Sequence, residues 1–95
     1  MLDPCFAEIV RRVKEWLGDG WKEKLFADNQ KVYFRKGRRM VVVEDKTSAP
    51  RLKLVEVRCK KRTLRLCYMT RPTMQLNGKC LLNTTLDEAL EQLLA

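Results

Sequence analysis

The chain of 95 residues contains no histidine. Histidine is the commonest general base near neutral pH and the commonest zinc ligand, so the usual forms of both chemistries are excluded. No two of the four cysteines form a C-x-x-C pair, the spacing that a four-cysteine zinc site needs. Glycine-rich phosphate loops and Cys-His or Ser-His pairs are also absent. We therefore expect a protein that is not an enzyme, with no catalytic residue, no metal and no cofactor.

The chain also lacks an apolar run near the ~20 residues that a membrane span requires. Residues 1–4 contain neither the basic nor the hydrophobic segment of a secretory signal. We expect an intracellular, cytoplasmic protein with one domain over residues 1–95 and no membrane contact. The cysteines fit buried thiols, and they also fit disulfides of the kind that intracellular proteins of hyperthermophiles contain. They are Cys5, Cys59, Cys67 and Cys80.

Positive charge is concentrated in the middle of the chain. Residues 31–71 contain fourteen Lys or Arg and three acids, a charge of +11, whereas the flanking segments together carry −3. A solvated surface without a partner normally mixes both signs. The asymmetry therefore predicts a polyanionic partner.

Apolar periodicity predicts a helix at each end of the chain. From Pro4 to Leu17 the apolar residues recur on one stripe, with Asp3 as the N-cap and Pro4 at the first helical position. Residues 85–88 have the T-x-x-E capping-box pattern, and a stripe of leucines follows it. This second stripe could cover the sheet of the same chain or pair with a second copy to form a homodimer.

Alternating residues between the helices predict an antiparallel sheet of four to five strands with two main hairpins. A short first strand is expected within residues 21–27. The first hairpin joins residues 31–35 to 39–44, with Gly37 at a positive φ in the turn. The second joins 51–60 to 63–70 around Lys61-Arg62, pairing Val55 with Tyr68. Asn77-Gly78 is a further turn signal between two short arms. The fold class is therefore α+β.

The alternation assigns one face of this sheet to the helices and leaves a basic face with interleaved aromatic and apolar residues. Cations contact phosphates and flat side chains stack on bases, so such a face favours single-stranded nucleic acid, DNA or RNA, with little sequence preference. Two turn tips, at residues 36–39 and 60–62, extend its charge. A solvated face with scattered cations is the simpler alternative. The predicted nucleic-acid-binding residues are Tyr33, Arg35, Lys36, Arg38, Arg39, Arg58, Lys60, Lys61, Arg62 and Arg65; Met40, Cys67 and Met69 lie between them.

The segment of residues 39–48 resembles the second half-motif of PD-(D/E)xK nucleases, in which an apolar strand ends in Glu-x-Lys. The resemblance implies Mg²⁺ held by Asp28 and Glu44, with Lys46 activating the attacking water and Glu8 assisting from a helix. This chain has Asp45 where the family usually has an apolar residue, and another hairpin where a helix normally follows. A Mg²⁺-dependent nuclease is therefore the alternative function, and a protein-interaction module with an acidic partner is a third.

The layout resembles the ThermoDBP-type single-stranded DNA-binding proteins of thermophilic archaea. The helix from Pro4 to Leu17, the basic strands between Lys31 and Arg71, and the Leu helix from Leu86 to Leu94 carry the resemblance. It implies a four-stranded sheet beside helices, binding through basic and apolar groups, and dimerisation through the C-terminal helix. No single motif is diagnostic, so the resemblance concerns layout over most of the chain.

Overall fold

A computed structural model describes residues 3–26, 30–47, 53–68 and 72–94. Two helices lie on one face of a single antiparallel sheet, which confirms the α+β class. The sheet has seven strands, not the four to five expected. The elements are α1 (Pro4–Leu17), β1 (Lys22–Phe26), β2 (Lys31–Lys36), β3 (Arg39–Asp45), β4 (Lys53–Cys59), β5 (Arg62–Tyr68), β6 (Pro72–Leu76), β7 (Lys79–Leu81) and α2 (Leu86–Leu94).

The strands are ordered in the sheet as they are in the sequence, β1 to β7, so each strand pairs with its neighbours along the chain. The additional strands are the short arms around Asn77-Gly78, which pair with each other and extend the sheet beyond β5. Asn77 has φ 52° and Gly78 has φ 83°. Two successive positive φ angles are the requirement of a tight hairpin turn that matches the twist of its strands.

Both helix starts are capped as the sequence predicts. The Asp3 carboxylate accepts hydrogen bonds from the backbone N–H groups of Cys5, at 3.0 Å, and Phe6, at 3.3 Å. At α2 the Thr85 hydroxyl accepts from the Glu88 N–H at 3.2 Å, and the Glu88 carboxylate accepts from the Thr85 N–H at 3.2 Å. These bonds satisfy helix N–H groups that have no partner within the helix.

The core lies between the sheet and both helices. The strand residues expected to face the helices are buried wherever their side chains are described. Tyr68 was also expected on this face, but its side chain lies outside the described part of the structure. The leucine stripe of α2 is buried in the same cluster, so it covers the sheet of its own chain, the first of the two expected alternatives. A homodimer through α2 would have to use another face of this helix. The buried strand residues are Val32, Phe34, Val41, Val43, Val55, Val57, Leu64 and Leu66.

The predicted register of the second hairpin was wrong by two residues. Val55 pairs with Leu66, and the turn is Lys60-Lys61 instead of Lys61-Arg62. Lys60 has φ 57°, which supplies the left-handed residue that such a turn needs. Because side chains alternate with a period of two, a slip of two residues leaves every side chain on its predicted face.

The four cysteines are free thiols; Cys80 is exposed and the other three are half-buried. Partial burial, and then the nearby Asp3 carboxylate, raise the pKa of the Cys5 thiol. Among the described residues, neither helix is both long enough and apolar enough to span a bilayer.

Candidate nucleic-acid interface

The sheet face opposite the helices, here called the open face, is built from every second residue of each strand. Register places Lys24, Tyr33, Val42 and Arg58 in one row across four strands. Lys22, Arg35 and Met40 form the neighbouring row toward the β2–β3 turn. Since paired residues of adjacent strands point to the same side, these two rows form one continuous surface.

An aromatic pair lies on the β1–β2 part of the open face. The Phe26 and Tyr33 rings meet edge to face, with centroids 5.0 Å apart. Phe26 retains 40% of its exposure, which leaves much of its ring open to solvent. Lys24 Nζ lies 4.6 Å from the centre of the Phe26 ring, and Lys31 Nζ lies 5.9 Å from the centre of the Tyr33 ring. Flat rings bordered by cations match the base and phosphate of a single strand.

Three grooves meet at Met40, which is 43% exposed. The first, of 650 Å³, contains the aromatic pair. The second, of 310 Å³, continues along the open face between Arg38, Arg58 and Lys60. The third, of 720 Å³, lies at the end of the sheet beside Trp21. The grooves therefore form a connected surface around one flexible apolar side chain.

Two acids interrupt the cations of the open face. Glu44 and Glu56 are directly opposite each other on β3 and β4. Arg58 and Lys31 lie 3.6 and 3.7 Å from the Glu44 carboxylate. Part of the positive charge on this face is therefore balanced within the chain.

Glu56 is the more deeply buried of these acids, at 4% exposure. Lys46 Nζ is 3.0 Å from its Oε2, and Arg65 is 3.7 Å from its Oε1. The Lys46 approach is not aligned as a hydrogen bond, so Oε2 is ion-paired without a hydrogen-bond donor. A buried carboxylate needs such cations to offset its lost hydration.

The structure brings together five of the predicted binding residues on or beside the open face. Tyr33 and Arg35 line the first groove, while Arg38, Arg58 and Lys60 line the second. Arg65 lies on the same face but farther along the sheet, beside Glu56. Met69 lies outside the described residues.

The other four predicted residues lie at the sheet end. Register places Lys36, Arg39 and Arg62 on the helix-facing side, and Lys61 is in the β4–β5 turn. Arg62 Nη1 donates a hydrogen bond of 3.1 Å to the Gln92 carbonyl in the last turn of α2. Arg62 thereby satisfies a carbonyl that has no partner within the helix.

Of the residues expected for a nuclease, Glu44 and Lys46 both reach the open face, because Lys46 pairs with the residue opposite Glu44, whereas Glu8 lies on α1 on the other side of the sheet. Glu44 is on the open face, Lys46 pairs with Glu56, and Glu8 binds Arg11 on the exposed side of α1. Asp28 lies outside the described residues. Within residues 3–26, 30–47, 53–68 and 72–94, no three Cys, Asp or Glu side chains are grouped to hold a metal ion.

Sequence reasoning missed the contribution of β1 to the site. Lys22, Lys24 and Phe26 alternate along the chain, and this signal predicts that they share a strand face. The alternation did not indicate which face was open, because Phe26 is apolar on one side of the strand and Leu25 is apolar on the other. The pairing of Phe26 with Lys31 and of Lys24 with Tyr33 decides it.

The chain matches no protein-family model, no curated protein and no solved structure.

Proposed function

We propose that this protein binds single-stranded nucleic acid on the open face, with little sequence preference and without cleaving it. The observation that carries the proposal is the Phe26–Tyr33 pair with lysines beside both rings. The neighbouring groove supplies Arg38, Arg58 and Lys60 for phosphates. The same mode of binding is implied by the resemblance to ThermoDBP-type proteins.

The shape of the surface favours single strands over duplexes. Exposed rings stack on bases only where those bases are unpaired, and each stack contributes ~1–3 kcal/mol. Stacking tolerates any base because every base has a π face, so little sequence preference is expected. Both DNA and RNA present these groups, and the measurement below compares them.

The decisive experiment measures the affinity of fluorescent single- and double-stranded DNA and RNA of mixed sequence, at several salt concentrations, with and without Mg²⁺. Single strands should bind more tightly than duplexes, without needing Mg²⁺. The log–log salt slope should be about −0.7 per neutralised phosphate, or near −3 for roughly four contacts. Salt-independent binding, or none, would refute the proposal. Mg²⁺-dependent cleavage would favour the nuclease.

A further inference from the structure

The groove beside Trp21, here called the Trp21 groove, lies at the end of the sheet where the β2–β3 and β4–β5 turns approach the last turn of α2. Its 720 Å³ volume is lined by apolar side chains that include Trp21, Leu93 and Leu94. Five Lys or Arg from the two turns surround them, and no described acid lines the groove. This combination fits an anionic ligand that also carries a flat apolar group.

Trp21 already forms a cationic stack within this groove. The Arg39 guanidinium carbon lies 5.3 Å from the centre of the indole ring. Bases stack on guanidinium planes as well as on aromatic rings. The Trp21–Arg39 stack therefore provides a second surface on which a base can lie, separate from the Phe26–Tyr33 pair.

The Trp21 groove is continuous with the open face. Arg38, Met40 and Lys60 line both this groove and the second groove of the open face. Met40 also lines the first groove, beside Tyr33. A chain lying on the aromatic pair can thus pass over Met40 and enter the Trp21 groove without leaving a surface of cations.

We propose that the Trp21 groove is a second base-stacking subsite for the same single strand, which turns around the end of the sheet at Met40. The inference rests on the proposed function and extends the binding surface from the open face to the groove at the end of the sheet. Arg38 and Lys60 contact phosphates at the crossing, and Trp21 with Arg39 holds a base beyond it. An acidic peptide would satisfy the cations but would leave the stacking surface and the continuous path unused.

Intrinsic fluorescence can report on this subsite, because the chain has two tryptophans. In Trp16→Phe, Trp21 is the remaining tryptophan and serves as the reporter. Oligo-dT of increasing length should leave its emission unchanged while the oligonucleotide covers only the open face. Longer oligonucleotides should quench it, and affinity should rise over the same lengths.

Affinity measurements on two variants test the same subsite. Arg39→Gln and Trp21→Ala should each lower the affinity for long oligo-dT by about 5- to 150-fold, the range for one lost base stack. Neither should change the affinity for the shortest oligonucleotide that binds. Lys79→Gln on β7 is the matched control for Arg39→Gln, since it removes one exposed cation that does not line the groove. Circular dichroism checks folding, and exposed Arg39 supplies the test if Trp21→Ala unfolds.

The outcomes separate the two proposals. If wild-type protein binds no oligo-dT, both fail. Suppose instead that the wild-type protein binds oligo-dT and that Tyr33→Ala weakens this binding. If Trp21 emission then stays unchanged at every oligonucleotide length, and Arg39→Gln binds as tightly as Lys79→Gln, only the second subsite fails. Quenching by an acidic peptide but not by oligo-dT also overturns the subsite. Length-dependent quenching together with length-dependent loss in Arg39→Gln supports it.

Discussion

Glu44 and Glu56 face each other across β3 and β4, in the middle of a surface that is otherwise rich in Lys and Arg. Opposed like charges are unfavourable unless cations bridge them. Here Lys31 and Arg58 approach Glu44, and Lys46 and Arg65 approach Glu56. Two arginines expected to bind phosphate therefore have an internal partner, and an incoming phosphate must compete with a carboxylate for each.

Glu44→Gln should strengthen binding of single-stranded nucleic acid. The substitution releases Arg58 and Lys31 from the carboxylate, so one or two more cations can neutralise phosphates. The log–log salt slope should become steeper by about 0.7 to 1.4. Fluorescence anisotropy titrations across a series of salt concentrations measure both quantities.

Glu91→Gln is the control for this change, because it alters net charge equally at an exposed position of α2 on the other side of the sheet. It should leave the slope near the wild-type value. Equal effects of the two substitutions would mean that overall charge, rather than the open face, determines affinity. A nuclease would instead lose Mg²⁺-dependent cleavage in Glu44→Gln.

Replacing the aromatic pair should weaken binding in proportion to the stacking lost. Phe26→Ala and Tyr33→Ala should each cost about 1–3 kcal/mol of binding free energy, whereas Tyr33→Phe keeps the ring and should bind like wild type. Isothermal titration calorimetry with oligo-dT measures these differences in binding free energy. Trp16→Ala, which removes an exposed aromatic from α1, is the control. If Trp16→Ala weakens binding as much as Phe26→Ala does, stacking on the Phe26–Tyr33 pair is ruled out.

Lys60→Asn should separate the conformational and electrostatic roles of the β4–β5 turn. Lys60 has φ 57°, and asparagine adopts this left-handed region more readily than lysine. The free energy of unfolding should therefore rise, by at most about 1 kcal/mol, while affinity for single strands falls. Lys61→Asn removes the same charge from the next position, where φ is not positive, and should lower affinity without the gain in stability. Urea unfolding distinguishes them; equal stabilities would contradict the proposed turn geometry.

The N-cap of α1 should make stability depend on pH in the acidic range. The hydrogen bond from Lys53 to the Asp3 carboxylate, at 2.8 Å, lowers the pKa of Asp3, and the cap bonds act in the same direction. Because the pKa of Asp3 is lower in the folded state, its carboxylate contributes fully to the free energy of unfolding above the unfolded-state pKa of about 3.9. This stabilisation is lost as the pH falls through the folded-state pKa. Asp3→Asn should keep the cap but remove this pH dependence, whereas Asp3→Ala should lose ~1 kcal/mol at neutral pH. Thermal unfolding from pH 7 to about pH 2 checks this. An unchanged acid transition in Asp3→Asn would contradict it.

The parts of the fold set by local pattern could be predicted from the sequence. Both helices, both caps and the assignment of strand faces depend on residues within a few positions of each other. The register of the second hairpin could not be predicted, because Lys60 has a positive φ and lysine is not typical of such turn positions. The opposition of Glu44 and Glu56 was also unpredictable, since β3 and β4 are not joined by a two-residue turn whose type would fix their register. The missing element of the site was Phe26, whose role follows only from its pairing with Lys31.

The order of strands also bears on how the protein folds. Each strand pairs with the strand next to it in sequence, so the sheet closes only short loops and needs no distant encounter. Proteins rich in such local contacts fold quickly, so we expect the sheet to form fast. α2 is the last element and covers the remaining core at β4 and β5. Until α2 docks, the sheet exposes an apolar layer on the side away from the open face.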